Sequence, residues 1–314
     1  MITLELPLVG PAGEPIDLAR TIDSHGFSDL DPMRLDAAAS TLELTVFAGT
    51  SQDGSRTTSQ PRRIRISPGS GATVQLEILG PRIGARAQTQ VVAAARHVLR
   101  LDQDLSGFYA ATAGDPDLAW VASGAGRMLQ SPTAFEDVVK TVCTTNCSWG
   151  ATRRMVSALV SELGTPALGG LGSSTNAFPT ADSMANAPER FYRDEVRAGY
   201  RGVYLIELAR RVAHGEVDLE AMAAASSADL SDDDLERTLI ELPGVGPYAA
   251  AHIMMTMGRN SRLILDSWTR PTYAKLIGRS KPVADATIQR RFRRYGDHAG
   301  LAFWLFLTRD WVED

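Results

Sequence analysis

Two stretches of this chain carry residue types at spacings that suit chemistry. The first is ELPGVGPYAAAHI, residues 241–253, where Pro243, Gly244, Gly246 and Pro247 crowd a sharp reversal between apolar, helix-like runs. No charged side chain sits at the tip, so such a turn would hold a partner through backbone N–H groups. Ser231 and Asp234 cap and charge the start of a helix expected to reach about Glu241, and Pro247 opens a second helix expected to run to Gly258. The pattern is helix–hairpin–helix. The N–H groups of Gly244, Val245 and Gly246, with the second helix's N-terminus, then form an anion site that a bulky side chain would block. The carbonyls of Ile240, Leu242 and Val245 are placed to hold a hard cation, sodium or potassium, bridging to the same anion. No other cofactor is expected.

The second stretch is LILDSWTRPTYAKL, which places Asp266 twenty residues after Gly246. Asp266 follows an apolar run and precedes a helix-like segment, so its local role is that of an N-cap. A helix N-terminus also favours the ionised carboxylate. Between the two stretches, His252 faces one turn beyond Tyr248.

The elements that must position these groups differ along the chain. Up to about residue 80, the runs ITLELPL, TLELTVFA, RRIRIS and TVQLEIL alternate in polarity and read as strands of an antiparallel sheet. From GARAQTQVVAAARHVLRL onward the periodicity is helical. The fold class is therefore α+β, with a sheet-plus-helix domain over 1–125 and a helical domain over 126–314.

At 314 residues, 44% hydrophobic and 22% charged, the composition is that of an ordinary globular protein. Cys143 and Cys147 are too few for a disulfide framework or an iron–sulfur or zinc site, and they read as reduced helix residues. The N-terminus has no basic start with a long apolar core, and no run approaches the length of a membrane span. These features predict a soluble, cytoplasmic protein. The net charge is −5, yet residues 259–294 carry ten bases against Asp266 and Asp285, while 216–236 carry eight acids and no base. This polarity predicts a local basic face suited to phosphates.

The combination of hairpin, LD and following helix resembles the helix–hairpin–helix–Gly/Pro–Asp superfamily of DNA glycosylases. In that resemblance Pro243–Pro247 is the Gly/Pro-rich loop and Asp266 the catalytic aspartate. Residues 132–160 look like the helical pair that opens the glycosylase domain in the 8-oxoguanine and 3-methyladenine branches. The asparagine that fills the gap left by an extruded base falls on Asn146. GYRGVY resembles the GYRARY of the 8-oxoguanine branch, mapping its wedge tyrosine onto Tyr200 and its orphan-base arginine onto Arg201. Arg270, in the basic segment, is expected to meet DNA. The N-terminal sheet is similar to the TATA-binding-protein-like β-domain of the same branches.

Departures shape the expected activity. The lysine of members that also cleave the backbone is here Tyr248, and the chain's only lysines are Lys140, Lys275 and Lys281. A Schiff base needs an amine at the pocket, so lyase chemistry is expected to be absent. A second orphan-base arginine aligns with Ala151, and the base-reading glutamine falls on Phe303. Tyr248, His252 and Phe303 are thus the expected base pocket. The resemblance implies a monomeric, monofunctional enzyme that acts on double-stranded DNA carrying a damaged purine, an alkylated purine ahead of 8-oxoguanine. It would be associated with the nucleoid through DNA. The alternative is a non-catalytic protein using the hairpin as a phosphate clip, which leaves Asp266, Asn146 and the GYR segment unexplained.

Overall fold

Period-two alternation builds the sheet. The computed structural model describes residues 2–53 and 56–312. Five strands, β1 (Ile2–Pro7), β2 (Arg34–Asp36), β3 (Thr41–Asp53), β4 (Arg56–Pro68) and β5 (Thr73–Ile78), pair antiparallel in the order β1-β5-β4-β3-β2. The four longer strands fall on the alternating runs in the sequence, with β3 and β4 extending beyond them to Asp53 and back to Arg56. The three-residue β2 is too short for alternation to announce it. Leu44 stands opposite Ile64, and Ile64 opposite Ile78, so one buried face collects aliphatics from three strands. Each contributes roughly 1.5–3 kcal/mol on burial, and a one-residue slip would turn the whole set to solvent. On the other face Arg65 lies opposite both Glu43 and Glu77 and pairs with them at 2.7 and 2.9 Å.

Helices follow. The short α1 (Leu18–Ile22) lies between β1 and β2, and α2 (Ala85–Val98) lays Val91, Ala95 and Val98 on the buried face of the sheet. Then come α3 (Ser106–Thr112), α4 (Ala134–Thr144), α5 (Trp149–Leu163), α6 (Ala181–Asn186) and α7 (Glu189–Asp194). They are followed by α8 (Arg201–Ala213), α9 (Leu219–Ala224), α10 (Asp232–Ile240) and α11 (Pro247–Thr256). The last are α12 (Thr269–Leu276), α13 (Asp285–Phe292) and α14 (Ala299–Thr308). The described chain is α+β, as its sequence predicts. Among the described residues no helix is long and apolar enough to cross a membrane.

The helices enclose two cores. One joins Val138 and Val142 of α4, Met155 and Leu159 of α5, Leu205 of α8 and Leu239 of α10. The other joins Tyr273, Phe292, Phe303 and Phe306 with Phe108 and Val121 from much earlier in the chain. Residues 105–125, expected from sequence to belong with the sheet, thus share a core with α12–α14. Helix α11 serves both cores: Ala249, Ala250, Ile253 and Met254 face the first, and Ala251 and Met255 the second. That is why its sequence is apolar all round instead of showing a stripe.

A buried ion pair ties the sheet region to the helices. Arg127, with no exposed side-chain surface, donates to Glu14 at 2.8 Å and to the carbonyls of Gln103 and Arg100 at 2.8 and 3.2 Å. Two residues on, Leu129 accepts from His25 Nε2 at 2.6 Å and donates to Ser24 Oγ at 2.8 Å. The strand of backbone that anchors Arg127 therefore also fixes the loop at residues 24–27. Burial alone would raise the Glu14 carboxyl, but backbone N–H donors and Arg127 together hold it below its ordinary value. Its contribution to stability is present above the ordinary carboxylate range and is lost as acid takes the pH down through the lowered value. Arg127→Met should cost about 3–5 kcal/mol by chemical denaturation, because it leaves a buried carboxylate unpaired. Glu14→Gln should flatten the acid limb of the stability–pH curve.

Candidate active site and hairpin cleft

The hairpin forms as its residues dictate. Ser231 caps α10 by accepting from the Asp234 N–H at 3.1 Å, and its hydroxyl donates to the Asp234 carboxylate at 2.6 Å. Gly244 has φ of 80°, and a Cβ there would meet Tyr204 and Val142 at 3.1 Å, so both conformation and space require glycine. A Cβ on Gly246 would meet nothing within 4 Å, so the space beside this residue is open. The Gly244 and Gly246 N–H groups find no protein acceptor among the described residues. Val245 corrects the expectation. Its N–H is spent on the Leu242 carbonyl at 3.1 Å and its side chain is buried, so it can offer a partner only its own carbonyl.

Ile240, Leu242 and Val245 line one cleft of about 520 Å³ with Gly244, Gly246 and Tyr200. Arg211 occupies the neighbouring Glu241 carbonyl at 3.1 Å. The donors left to a cation there are carbonyl oxygens, a set that suits a hard ion. Among the described residues no group of three or more His, Cys, Asp or Glu could hold a metal.

Asp266 sits at the turn into α12. Its Oδ1 accepts from the N–H groups of Trp268 and Thr269 at 2.8 and 2.6 Å, while its own N–H donates to Thr269 Oγ1 at 2.8 Å. This reciprocal cap fixes the carboxylate through one oxygen and leaves Oδ2 without a protein partner among the described residues. The half-buried side chain lines a cavity of about 970 Å³. The cavity's walls include Tyr248, His252, Trp149, Trp268, Trp304 and Trp311. Trp268, Trp304 and Trp311 contact one another with ring centroids 5.7–5.8 Å apart, and Trp304 Nε1 is anchored on the Ser24 carbonyl at 2.8 Å.

The structure brings several expected residues together. Asn146, in the α4–α5 turn with φ of 48°, donates to the Tyr200 hydroxyl at 3.2 Å. Asn146 and Tyr248 line both the cavity and the hairpin cleft, so the two are contiguous. The Tyr248 hydroxyl lies 3.3 Å from Thr144 Oγ1, and burial raises the phenol above its ordinary value. His252 lies in the cavity wall beside His25, ring centroids 5.6 Å apart. Burial, then the nearness of His25, lowers the His252 imidazole to about 3; burial lowers His25 to about 4, its hydrogen bond to Leu129 opposing. Both rings are neutral at pH 7.

Other expectations are corrected. Phe303 is fully buried against Tyr273 and Phe292 and does not line the cavity; its neighbour Trp304 does. One step along a helix turns the side chain by about 100°, so adjacent positions of α14 fall to core and wall. Arg201 is buried, donates to the Thr145 carbonyl at 2.9 Å and stacks on Tyr200 at 4.6 Å, so it braces the α4–α5 turn and is not exposed as a reader. Arg270 lines the cavity but is held by Asp285 through two contacts at 2.8 and 2.9 Å. The expected basic face is also reduced. Arg259 pairs with Asp232, Arg262 with Asp233 and Glu236, Arg291 with Asp117 and Arg294 with Asp115. Lys275, Arg279, Lys281, Arg290 and Arg293 remain without an acidic partner among the described residues, and the first three line a cleft of about 430 Å³ that meets the cavity at Asp266. Lys140 is buried against Glu136 at 2.6 Å.

Sequence reasoning missed His25, Phe27, Trp149 and Trp311. His25 and Phe27 reach the cavity from the sheet region, 241 and 239 positions before Asp266 in the numbering. Trp149 packs over Gly26, where a Cβ would stand 2.7 Å from its ring, and donates from Nε1 to Asp29 at 3.1 Å.

The fold, an N-terminal antiparallel sheet followed by helices that include this hairpin, is shared with solved structures of DNA glycosylases. The chain superposes on a 3-methyladenine DNA glycosylase from Archaeoglobus fulgidus with a TM-score of 0.71 at 18% identity, covering 99% of each chain. It superposes on the 8-oxoguanine glycosylase/lyase of Clostridium acetobutylicum, in complex with DNA containing cytosine opposite 8-oxoguanine, with a TM-score of 0.63 at 21% identity. That match covers 83% of this chain and 88% of the other. In sequence it is 24% identical over 147 residues to an N-glycosylase/DNA lyase of Saccharomyces cerevisiae, and the match spans 39% of that relative's length. No family model matches the chain.

The cap predicts its own stability effect. Asp266→Ala should lower unfolding free energy by about 1 kcal/mol, whereas Asp266→Asn should keep most of the stability because an amide oxygen accepts the same N–H bonds. Denaturant midpoints at unchanged slope would measure both.

Proposed function

We propose that this protein is a DNA glycosylase that hydrolyses the N-glycosidic bond of a flipped, damaged purine and leaves an abasic site. The observation that carries this reading is the Asp266 carboxylate, fixed through Oδ1 and standing in the wall of an aromatic cavity contiguous with the hairpin cleft. Cleavage of an N-glycosidic bond builds positive charge on the sugar, as in glycoside hydrolysis. A preorganised carboxylate at that charge contributes on the order of 2.7–4 kcal/mol, by analogy with single oxyanion-hole donors. The free Gly244 and Gly246 N–H groups would grip a phosphate of the double-stranded DNA, and the Lys275–Lys281 cleft offers a second path for the backbone. Sodium or potassium held by the carbonyls of Ile240, Leu242 and Val245 would add positive charge at the gripped phosphate. Tyr200 and Asn146, already hydrogen-bonded to each other, would fill the space vacated by the base. The enzyme would act as a monomer.

The lesion we assign is an alkylated purine ahead of 8-oxoguanine. Trp268, Trp304, Trp311 and Tyr248 give the cavity ring faces, each worth about 0.5–2 kcal/mol to a cationic base. Alkylation also weakens the glycosidic bond, so one carboxylate suffices. The kinship in fold with a protein named for 3-methyladenine supports this order, although another neighbour is named for 8-oxoguanine. Lyase chemistry is not part of the proposal. Tyr248 stands where a Schiff-base lysine would be needed, Lys140 is buried against Glu136, and Lys275 and Lys281 line the adjoining cleft, not the cavity. A phosphate clip without catalysis would leave the Asp266 cavity without a use.

Single-turnover assays on matched duplexes test this. Release of 3-methyladenine or 7-methylguanine should outpace that of 8-oxoguanine opposite cytosine; the reverse order would overturn the lesion assignment. Asp266→Asn should abolish release while duplex affinity stays within a few-fold, and near-normal turnover in that variant would place the active site elsewhere. Strands should remain intact until alkali is added, and borohydride should trap no covalent complex; a strong trapped band would show that an amine reaches the sugar.

A further inference from the structure

His252 lies one helical turn beyond Tyr248, only 7% exposed, and lines the cavity. Its Nδ1 stands 3.3 Å from Thr141 Oγ1. That hydroxyl is itself 2.7 Å from the Asp137 carbonyl, which can only accept, so its single proton is committed there. Thr141 therefore meets His252 with a lone pair, and Nδ1 must carry the ring proton. In a neutral imidazole the other nitrogen, Nε2, is then a bare acceptor.

The surroundings keep it bare. His25 is fixed in the opposite sense: its Nε2 must donate to the Leu129 carbonyl at 2.6 Å, and its Nδ1 accepts from the Phe27 N–H at 3.4 Å. It has no proton left to offer. Phe27, in a T-shaped contact, and Tyr248, stacked, flank the His252 ring at 4.9 and 6.3 Å between centroids, and the Tyr248 hydroxyl lies at Thr144. No protein group among the described residues hydrogen-bonds Nε2, although the residue is nine-tenths buried and lines the cavity. Facing the cavity, this acceptor is covered when a base seats there: a base that supplies an N–H keeps it paired, and one that does not leaves it buried and unpaired, which is costly.

We propose that His252 is a specificity-determining residue, its Nε2 reading an exocyclic amino group on the base and rejecting bases that offer no N–H at that edge. This rests on the glycosylase reading of the cavity. 3-Methyladenine keeps such an amino group at C6 and 7-methylguanine one at C2, both on the Watson–Crick edge, and a cationic ring makes either a stronger donor. In 1,N6-ethenoadenine the amino nitrogen is tied into a second ring and has no proton to give. A site built on a hydrogen bond rejects an analogue lacking it far better than an apolar pocket does.

The test combines a tautomer measurement with single-turnover release of these three lesions. Nitrogen-15 imidazole spectra of the unliganded protein should show His252 in the Nδ1–H form at neutral pH. His252→Phe should lower release of 3-methyladenine and 7-methylguanine by roughly ten- to a hundredfold, and leave release of 1,N6-ethenoadenine within about threefold. His252→Gln, which restores an acceptor, should recover part of the loss. Thr141→Val, which frees the tautomer while nearly keeping the shape, should move release in the same direction as His252→Phe. An Nε2–H tautomer in the unaltered protein, or unchanged release of the amino-bearing bases in His252→Phe, would overturn the inference while Asp266→Asn still abolished activity. Undiminished release in Asp266→Asn would overturn the glycosylase reading and this inference with it.

Discussion

Helix α11 is buried on every side, and the site depends on that burial. Its residues Ala249 to Thr256 have almost no exposed surface, some facing the core of α4, α5, α8 and α10 and others the aromatic core of α12–α14. A helix held from all directions cannot roll or slide without opening cavities, and each lost methylene contact in a close-packed interior is felt. Its N-terminus therefore fixes the open N–H groups of the hairpin, while Tyr248 and His252 on its first two turns are fixed in the cavity wall. The helix that grips at one end thus aligns the pocket along its side.

Rigidity at Asp266 comes from a different source. The carboxylate is tied by reciprocal hydrogen bonds with Thr269 and the Trp268 N–H, a local device that needs only four consecutive residues. What it faces is not local. Trp304 and Trp311 arrive from the C-terminal helix and the turn after it, and His25 and Phe27 from the sheet region. The Leu129 and Ser24 hydrogen bonds that pin residues 24–27 make the sheet region a structural part of the cavity, not a separate body attached to it.

Charge is allotted by pairing and not by composition. The basic run from 259 to 294 meets the acidic run from 216 to 236 at its start, where Arg259 and Arg262 pair with Asp232, Asp233 and Glu236 of α10, while Arg270, Arg291 and Arg294 pair with Asp285, Asp117 and Asp115. Each such pair cancels the charge that its members would otherwise project. Of the cations without an acidic partner among the described residues, Lys275, Arg279 and Lys281 lie together in a cleft at Asp266, which concentrates positive potential there, while Arg290 and Arg293 lie outside that cleft.

The sequence by itself determined what is local. Alternation located the four longer strands; Ser231, Gly244, Pro247 and Gly258 set the hairpin and its helices nearly to the residue; Asp266 announced its cap. These follow from backbone sterics and hydrogen bonds within a few residues, which any reader of the chain can count. The tertiary structure alone decided the rest. It turned Phe303 inward and Trp304 toward the cavity, folded Arg201 beneath Tyr200, spent the Val245 N–H on Leu242 and set His25 against His252. Helix α14 is apolar all round, so no stripe in its sequence marks which face meets a core and which a cavity. An arginine reads the same whether it pairs with an acid or waits for a phosphate. Those choices are made by whichever groups long-range packing brings within contact distance, and spacing along the chain carries no record of them.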